Sequence, residues 1–142
     1  MTDPKSLADA AIQAFLQTRE VVVLATLMPD GSPAATPMWF LHAPNALFMI
    51  SVDGMPKVRN IGRDPRVSVV AETTAPDGSI RGVTIGGRAE LLADSAERRS
   101  LAERFVRKYH PRLERIWAGH EMPPNRVMFR IVPERVRSWG LG

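Results

Sequence analysis

Residues 51–66 read SVDGMPKVRNIGRDPR and lie between two apolar runs that have the composition of β-strands. The stretch begins with a Gly/Pro loop, continues with one or two predicted helical turns, and carries four cationic side chains. Free backbone N–H groups at the start of a helix favour an anion, and Lys57 and Arg59 lie beside that start. We therefore expect this stretch to bind a phosphate group and the rest of the chain to fold as a barrel around it.

Composition predicts an ordinary globular protein. The chain has 142 residues, of which 44% are apolar and 24% charged, with a net charge of +4; one domain covering residues 1–142 is expected. No apolar run approaches the roughly 20 residues of a membrane span, and no secretory signal is visible, so we expect a cytoplasmic protein with no membrane partner. The absence of cysteine excludes disulfides, iron–sulfur clusters and thiol nucleophiles.

Six apolar, β-branched runs predict strands, and the first three of them predict an antiparallel meander. Pro37 cannot donate a ladder hydrogen bond, so it predicts a sheet edge or a bulge, and the Gly86–Gly87 pair predicts a bulge or bend that helps to close a barrel. Turn signals at residues 29–32 (PDGS) and 75–79 (APDGS) separate pairs of strands. The predicted strands cover residues 21–27, 33–41, 46–52, 66–73, 80–92 and 126–136.

Helical periodicity is limited to short segments. It predicts helices over residues 6–19, 57–63 and 95–109, with an extension over 111–117. Six strands with few helices indicate a mainly β fold with flanking helices, as a closed or nearly closed antiparallel barrel.

Most catalytic patterns are missing from the sequence. His42, His110 and His120 are not paired at metal-ligand spacing, so no metal site is predicted. No Walker loop, dinucleotide fingerprint or nucleophile elbow occurs, and no catalytic residue is assigned. The remaining candidates are Lys57, with Asn60 on the same helical face, and the apolar residues around Trp39. The alternatives are a helix start with solvent-exposed cations and, for Met38, Trp39 and Phe40, a place in the core.

Several short patterns together resemble the pyridoxamine 5′-phosphate oxidase-like family of split β-barrel flavoproteins. The resemblance covers nearly the whole chain, and each pattern is weak when it stands alone. The patterns are Leu24-Ala25-Thr26-Leu27, Pro29-Asp30-Gly31-Ser32-Pro33, Thr36-Pro37-Met38-Trp39-Phe40, Leu47-Phe48-Met49-Ile50-Ser51, Lys57-x-x-Asn60-Ile61-x-x-Asp64-Pro65-Arg66, Gly87-Arg88-Ala89-Glu90-Leu91 and Arg126-Val127 with Pro133-Glu134-Arg135-Val136.

The resemblance implies a six-stranded split barrel that forms a homodimer, with a cofactor in a groove at the subunit interface. By the same resemblance, the cofactor ring or tail lies against one set of residues and its phosphate against another. The first set is Thr36, Pro37, Met38 and Trp39; the second is Lys57 with Arg59 and Asn60, and Ser51 lies near the phosphate end.

The resemblance also bears on which cofactor is bound. Vitamin-B6 oxidases usually show Ser-Arg-Lys where this chain has Met55-Pro56-Lys57. The pattern from Lys57 to Arg66 is closer to the branch that uses the deazaflavin coenzyme F420, whose phosphodiester and acidic tail suit a basic groove. It implies an F420-dependent oxidoreductase that transfers a hydride to a small organic acceptor, with FMN as the second choice of cofactor.

Three alternatives remain open at this point. The chain could be an FMN-dependent oxidoreductase of the same family, or a non-catalytic carrier or sensor that binds flavin or haem. A third class, nucleic-acid binding by the basic segment 98–115, is disfavoured because Glu97, Glu103 and Glu114 interrupt the charge and few aromatic residues accompany it. We therefore expect a small-molecule substrate and no nucleic-acid partner.

Overall fold

A computed structural model describes residues 5–142. The strands are β1 Val22–Leu27, β2 Pro33–Met38, β3 Leu41–Ala43, β4 Ala46–Val52, β5 Arg66–Thr74, β6 Ile80–Leu91 and β7 Arg126–Trp139. The helices are α1 Ala10–Gln17, α2 Pro56–Arg63, α3 Ala96–Lys108 and α4 Arg112–Trp117.

The seven strands form one curled antiparallel sheet in the order β2-β1-β5-β6-β7-β4-β3. The prediction of a mainly β fold with flanking helices is thus confirmed, while the predicted count of six strands is wrong. The sheet has two edges, β2 and β3, which are consecutive in the chain but are not paired with each other. Pro37 lies on the edge strand β2, as its missing N–H group requires.

The extra strand arises because the predicted strand 33–41 is broken at Trp39 and Phe40. The Phe40 N–H group donates to the Tyr109 hydroxyl (2.8 Å), and the Phe40 carbonyl accepts from the Lys108 ammonium (2.8 Å). Side chains of α3 and its C-cap thus satisfy the backbone groups that a continuous strand would have paired with a neighbour. The chain therefore leaves one sheet edge at Met38 and enters the opposite edge at Leu41.

The predicted meander of the first three strands is also wrong. The β1–β2 hairpin forms, with Leu24 opposite Thr36, but β4 pairs with β3 and with the distant β7. Because Trp39 and Phe40 carry the chain from one edge to the other, the second and third predicted strands never become neighbours.

The predicted turns and the predicted bulge are confirmed. Gly31 and Gly78 have φ of 85° and 86°, and in each loop the preceding aspartate accepts hydrogen bonds from the following serine. The β6–β7 register shifts between Gly86 and Gly87. A Cβ atom at Gly87 would collide with the backbone carbonyl of Val132, which explains why glycine stands at the bulge.

Two hydrophobic clusters lie on opposite faces of β4. Leu47 and Met49 pack with α1 inside the curled sheet, whereas Phe48 packs with Phe105 of α3 and Trp117 of α4. The strand is therefore buried on both faces, as its continuous apolar sequence indicates. The second cluster fixes α3 and α4 beside the β2–β3 break.

The first helix, α1, is shorter than its predicted span. α1 begins at Ala10, because the Asp9 carboxylate accepts from the N–H groups of Ala11 (3.0 Å) and Ile12 (3.3 Å) and so caps the helix. The predicted helix over residues 6–19 contains this segment but begins four residues too early.

Candidate functional site

A groove of about 370 Å³ opens where the ends of β2 and β4 meet the start of α2 and the two helices α3 and α4. We call it the Trp39 groove. Its lining residues are Pro37, Met38, Trp39, Ile50, Ser51, Val52, Met55, Lys57, Phe105, Leu113, Ile116, Trp117 and Arg126.

Five of the eight residues proposed from sequence line this groove. They are Pro37, Met38, Trp39, Ser51 and Lys57, which come from three separate segments of the chain. Their meeting depends on the antiparallel sheet, because β2 and β4 bring residues 37–39 and 51 to the same end of the fold. Met38 and Ser51 are buried, while Trp39 and Lys57 are half-buried and accessible from the groove.

Lys57 lies in the first turn of α2, directly after Pro56. Its ammonium group contacts the Met38 sulfur at 3.4 Å, a weak acceptor, and it forms no ion pair among residues 5–142. The N–H groups of Val58 and Arg59 already donate to the carbonyl of Met55, at 2.9 and 3.1 Å. The helix start therefore offers fewer free backbone donors than the sequence suggests, and the Lys57 side chain is the main cation of α2 in the groove.

Asn60 does not line the Trp39 groove. Its side-chain amide donates to the Thr26 hydroxyl (3.0 Å) and to the Met28 sulfur (3.4 Å), and its Oδ1 accepts from Arg63 (3.0 Å). With only 2% of its surface exposed, Asn60 ties α2 to β1. Sequence spacing placed it on the Lys57 face of the helix, but the sheet lies against that part of the face.

Arg59 and Thr36 also lie outside the groove lining. Arg59 is exposed and follows Lys57 by two positions, which is about 200° around a helix and thus nearly the opposite face. Thr36 is half-buried in β2, opposite Leu24. Neither side chain lines the groove together with Lys57.

Trp39 forms one wall of the groove and is held by an aromatic stack. Its ring lies parallel to that of Tyr109, with centroids 4.3 Å apart and an interplanar angle of 4°. Tyr109 therefore covers one face of Trp39, and the guanidinium carbon of Arg112 lies 5.2 Å from the centre of the Trp39 ring, so a ligand can contact only the remaining surface of the ring. Phe40, the next residue, is fully buried and belongs to the core.

The structure adds residues that sequence reasoning missed. Arg126, the first residue of β7, is the register partner of Val52 in β4 and supplies a second cation to the groove that contains Lys57. Ile116 and Trp117 of α4 add apolar surface, and Ile116 is 58% exposed. Only the pairing of β4 with β7 could have revealed Arg126. For Trp117, by contrast, the spacing of apolar residues in α4 gave an indication in the sequence.

Burial and charge perturb several pKa values near the groove. Burial raises the pKa of the Tyr109 hydroxyl to about 12, so this group stays protonated and continues to donate. Burial also lowers the pKa of the Lys108 ammonium to about 8. Both groups hold the broken strand at Phe40, and neither lines the groove itself.

A larger depression of about 780 Å³ lies between α1 and the β5–β6 hairpin, and it contains none of the eight residues proposed from sequence. Volume alone does not identify a binding site, because a site also needs convergent polar groups. Among residues 5–142, no group of three or more histidine, aspartate or glutamate side chains is placed to hold a metal ion. None of the helices described over that range is long and apolar enough to span a membrane.

Comparison with known proteins identifies the fold. The family model described as pyridoxamine 5′-phosphate oxidase matches residues 8–140. A Listeria innocua protein described as a candidate pyridoxamine 5′-phosphate oxidase is 31% identical, with a TM-score of 0.73 over 94% of this chain and 98% of its own. A conserved hypothetical protein from Mycobacterium tuberculosis is 28% identical, with a TM-score of 0.77 over 92% of this chain and 83% of its own.

More distant structures share the fold alone. An FAD-binding protein from Mesorhizobium loti is 23% identical, with a TM-score of 0.71 over 97% of this chain and 96% of its own. No curated protein matches the chain significantly. The match over residues 8–140, together with the curled seven-stranded sheet, shows that this chain belongs to the pyridoxamine 5′-phosphate oxidase-like family.

Proposed function

We propose that this protein is an oxidoreductase that binds a phosphate-bearing flavin-type cofactor in the Trp39 groove. The observation that carries the proposal is the convergence of two cations, Lys57 and Arg126, with an aromatic and apolar lining in one groove. Coenzyme F420 is favoured over FMN because of the pattern from Lys57 to Arg66. The FAD-binding relative from Mesorhizobium loti supports the flavin class.

The donors in the groove fit a phosphate group. Neither Lys57 nor Arg126 forms an ion pair among residues 5–142; Arg126 donates to its neighbour Asn125 (2.7 Å), and Lys57 contacts only a sulfur. An ammonium has three donors and a guanidinium five, so most of this capacity is available to an anion. The volume of about 370 Å³ lies within the usual range of ligand pockets, roughly 300–1,000 Å³.

The chain's own residues would bind and orient the cofactor and would shield it from water. Lys57 and Arg126 would hold the phosphate, and Trp39, Met38 and Trp117 would form apolar walls that exclude water. A flavin or deazaflavin supplies hydride transfer when bound, so the protein needs no acid–base pair to start the chemistry. The expected substrate is a small organic acceptor, and no side chain is assigned as a proton donor.

We also propose that the protein forms a homodimer, as the family resemblance implies. Support comes from exposed valines on the β1–β5 face, where Val23 (37% exposed) lies opposite Val70 (38% exposed). The groove rim adds Ile116 and Met55, which is 42% exposed. A second subunit would remove this apolar surface from water. Sedimentation equilibrium measures the mass in solution, and a monomer at micromolar concentration would contradict this part of the proposal.

The central test is a titration of the Lys57→Ala variant with F420 and with FMN, side by side. Loss of a charge-assisted phosphate contact should weaken the affinity by about 1.5–3 kcal/mol, or roughly ten- to a hundredfold. Arg59→Ala is the matched control, because it removes a cation of the same helix outside the groove, and its affinity should stay near that of the wild type. Unchanged binding of both cofactors by Lys57→Ala would refute the phosphate site.

A haem carrier is the second candidate function. A haem storage protein from Vibrio cholerae, 20% identical, shares the fold with a TM-score of 0.71. None of the three histidines lines the Trp39 groove, and His42 and His110 have side-chain partners elsewhere. The absorption spectrum of the purified protein separates the two functions: a haem Soret band would favour the carrier, and flavin or deazaflavin bands the oxidoreductase.

A further inference from the structure

A second groove lies beyond the β2–β3 break, where Leu41 and His42 of β3 meet the end of α1 and the last turns of α3. Its volume is about 700 Å³, and it shares no lining residue with the Trp39 groove. Four cationic side chains line it, and we call it the Arg104 groove. These side chains are Arg19, Arg104, Arg107 and Lys108.

The positive charge of this groove is only partly compensated by carboxylates. Glu20 is its one acidic lining residue, and the Glu20 carboxylate, which also attracts Lys108, is paired with Arg112. Among residues 5–142, none of the four cations forms an ion pair. By contrast, Arg98 and Arg99 at the start of the same helix both pair with Asp94.

Helix geometry concentrates the charge. Arg104, Arg107 and Lys108 follow each other at i, i+3 and i+4, so they lie on one face of α3, where like charges repel. Cations in the last turn of a helix complement its dipole, which accounts for Arg107 and Lys108 in part. That effect does not extend to Arg104, a full turn earlier, or to Arg19, which belongs to another segment.

Two of the cations are held in place by neutral groups. The Lys108 ammonium donates to the Phe40 carbonyl (2.8 Å) and lies 3.7 Å from the centre of the Phe40 ring. Arg104 donates to the His42 carbonyl at 3.4 Å. These contacts use a small part of the donor capacity of the two groups, so the remaining N–H donors are available to a ligand.

His42 contributes an imidazole ring whose nitrogens both face glutamine side chains, Nδ1 toward Gln13 and Nε2 toward Gln17 at 3.0 Å. Gln13 Nε2 donates to the carbonyls of Leu7 (2.8 Å) and Ala43 (3.0 Å), so Gln13 Oε1 faces His42 Nδ1 at 2.7 Å and requires a proton there. Burial, followed by the charges of Lys108 and Arg104, lowers the pKa of His42. The ring thus senses the positive potential of the groove.

We propose that the Arg104 groove is a binding site for a compact phosphate group with two or more negative charges, such as a pyrophosphate moiety. Such an anion would supply the countercharge that the surrounding side chains lack. Planar guanidinium groups match the oxygens of a phosphate with paired N–H donors, and a lysine ammonium adds a point charge. This site is separate from the proposed cofactor groove and does not depend on it.

The test is a calorimetric titration with pyrophosphate at constant ionic strength. We expect saturable binding by the wild type, weakened at least tenfold in Arg104→Gln and in Arg107→Gln. Arg115→Gln, an exposed arginine of α4 outside both grooves, is the matched control and should bind as the wild type does. Lys57→Gln should also leave this affinity unchanged, which separates the second site from the proposed cofactor site.

His42 provides an independent readout. Saturation with pyrophosphate should offset the charges of Lys108 and Arg104 and so raise the pKa of His42, measured from its ring proton resonances in NMR. An equal affinity in the folded Arg104→Gln/Arg107→Gln double variant would overturn the proposal, as would the absence of saturable binding. A loss confined to Lys57→Gln would also overturn it, since the anion would then occupy the Trp39 groove. An arm with adenosine diphosphate tells whether the bound phosphate is free or part of a nucleotide; tight binding of either supports the site.

Discussion

Lys57 lines the Trp39 groove and Lys108 lines the Arg104 groove, and the two side chains have similar surroundings. Each is half-buried and contacts a neutral group, the Met38 sulfur for Lys57 and the Phe40 carbonyl for Lys108. Lys57 stands at the start of a helix in a local pattern that the sequence displays. Lys108 lies in a run interrupted by glutamates, and its partner is 68 residues away. A local sequence pattern therefore identifies one half-buried cation, Lys57, and gives no indication of the other, Lys108.

Tyr109 lines neither groove, but it stacks on Trp39 of one groove and follows Lys108 of the other, so its removal is expected to have the largest effect. Tyr109 is fully buried, stacks on Trp39 and hydrogen-bonds with both backbone groups of Phe40. Tyr109→Ala should lower the free energy of unfolding by about 3–5 kcal/mol, because it leaves a cavity beside the broken strand. Tyr109→Phe keeps the stack and should cost about 1–3 kcal/mol for the lost hydroxyl.

Urea denaturation of the two variants measures both values. If Tyr109→Phe is as stable as the wild type, the hydroxyl does not hold the break at Phe40.

Two substitutions on different faces of α2 should have smaller effects on stability, and these effects should differ from each other. Asn60→Ala leaves the buried Thr26 hydroxyl without its partner and should destabilise the fold by about 1–3 kcal/mol. Lys57→Ala removes a half-buried side chain with one weak contact, so stability should change by less than about 0.5 kcal/mol. Thermal unfolding gives stability, and cofactor titration at a temperature where both variants are folded gives affinity.

We expect Asn60→Ala to lose stability and Lys57→Ala to lose affinity. The reverse pattern would mean that Asn60 belongs to the binding site after all and that Lys57 is a structural residue.

The smallest expected effect is a pH dependence from Lys108. Its pKa of about 8 in the folded protein lies below the ordinary 10.5, so the folded state releases this proton first. Between those pH values the unfolded chain binds more protons, and stability should rise with pH, by on the order of 1 kcal/mol once solvent screening is allowed for. Tyr109, with its raised pKa of about 12, opposes the rise only above pH 10.

Chemical denaturation from pH 7.5 to 10 is therefore the useful window. Lys108→Met should abolish the rise, and Lys57→Met should retain it. A rise of equal size in Lys108→Met would assign the effect to another group.

Local chemistry in the sequence determined much of this protein. The Asp-Gly-Ser turns, the bulge at Gly86–Gly87, the edge position of Pro37 and the helix after Pro56 all follow from backbone preferences of a few neighbouring residues. For the same reason, Lys57 could be placed at a helix start without any knowledge of the fold.

Tertiary structure alone decided the rest, because it depends on which distant residues satisfy a given polar group. The Tyr109 hydroxyl and the Lys108 ammonium break a strand that the sequence presents as continuous. The Asn60 amide is held in the core by its hydrogen bond to the Thr26 hydroxyl. The pairing of β4 with β7 brings Arg126 into the Trp39 groove with Lys57. Hydrogen bonds and sheet register link residues that are far apart in sequence, and no short pattern records them.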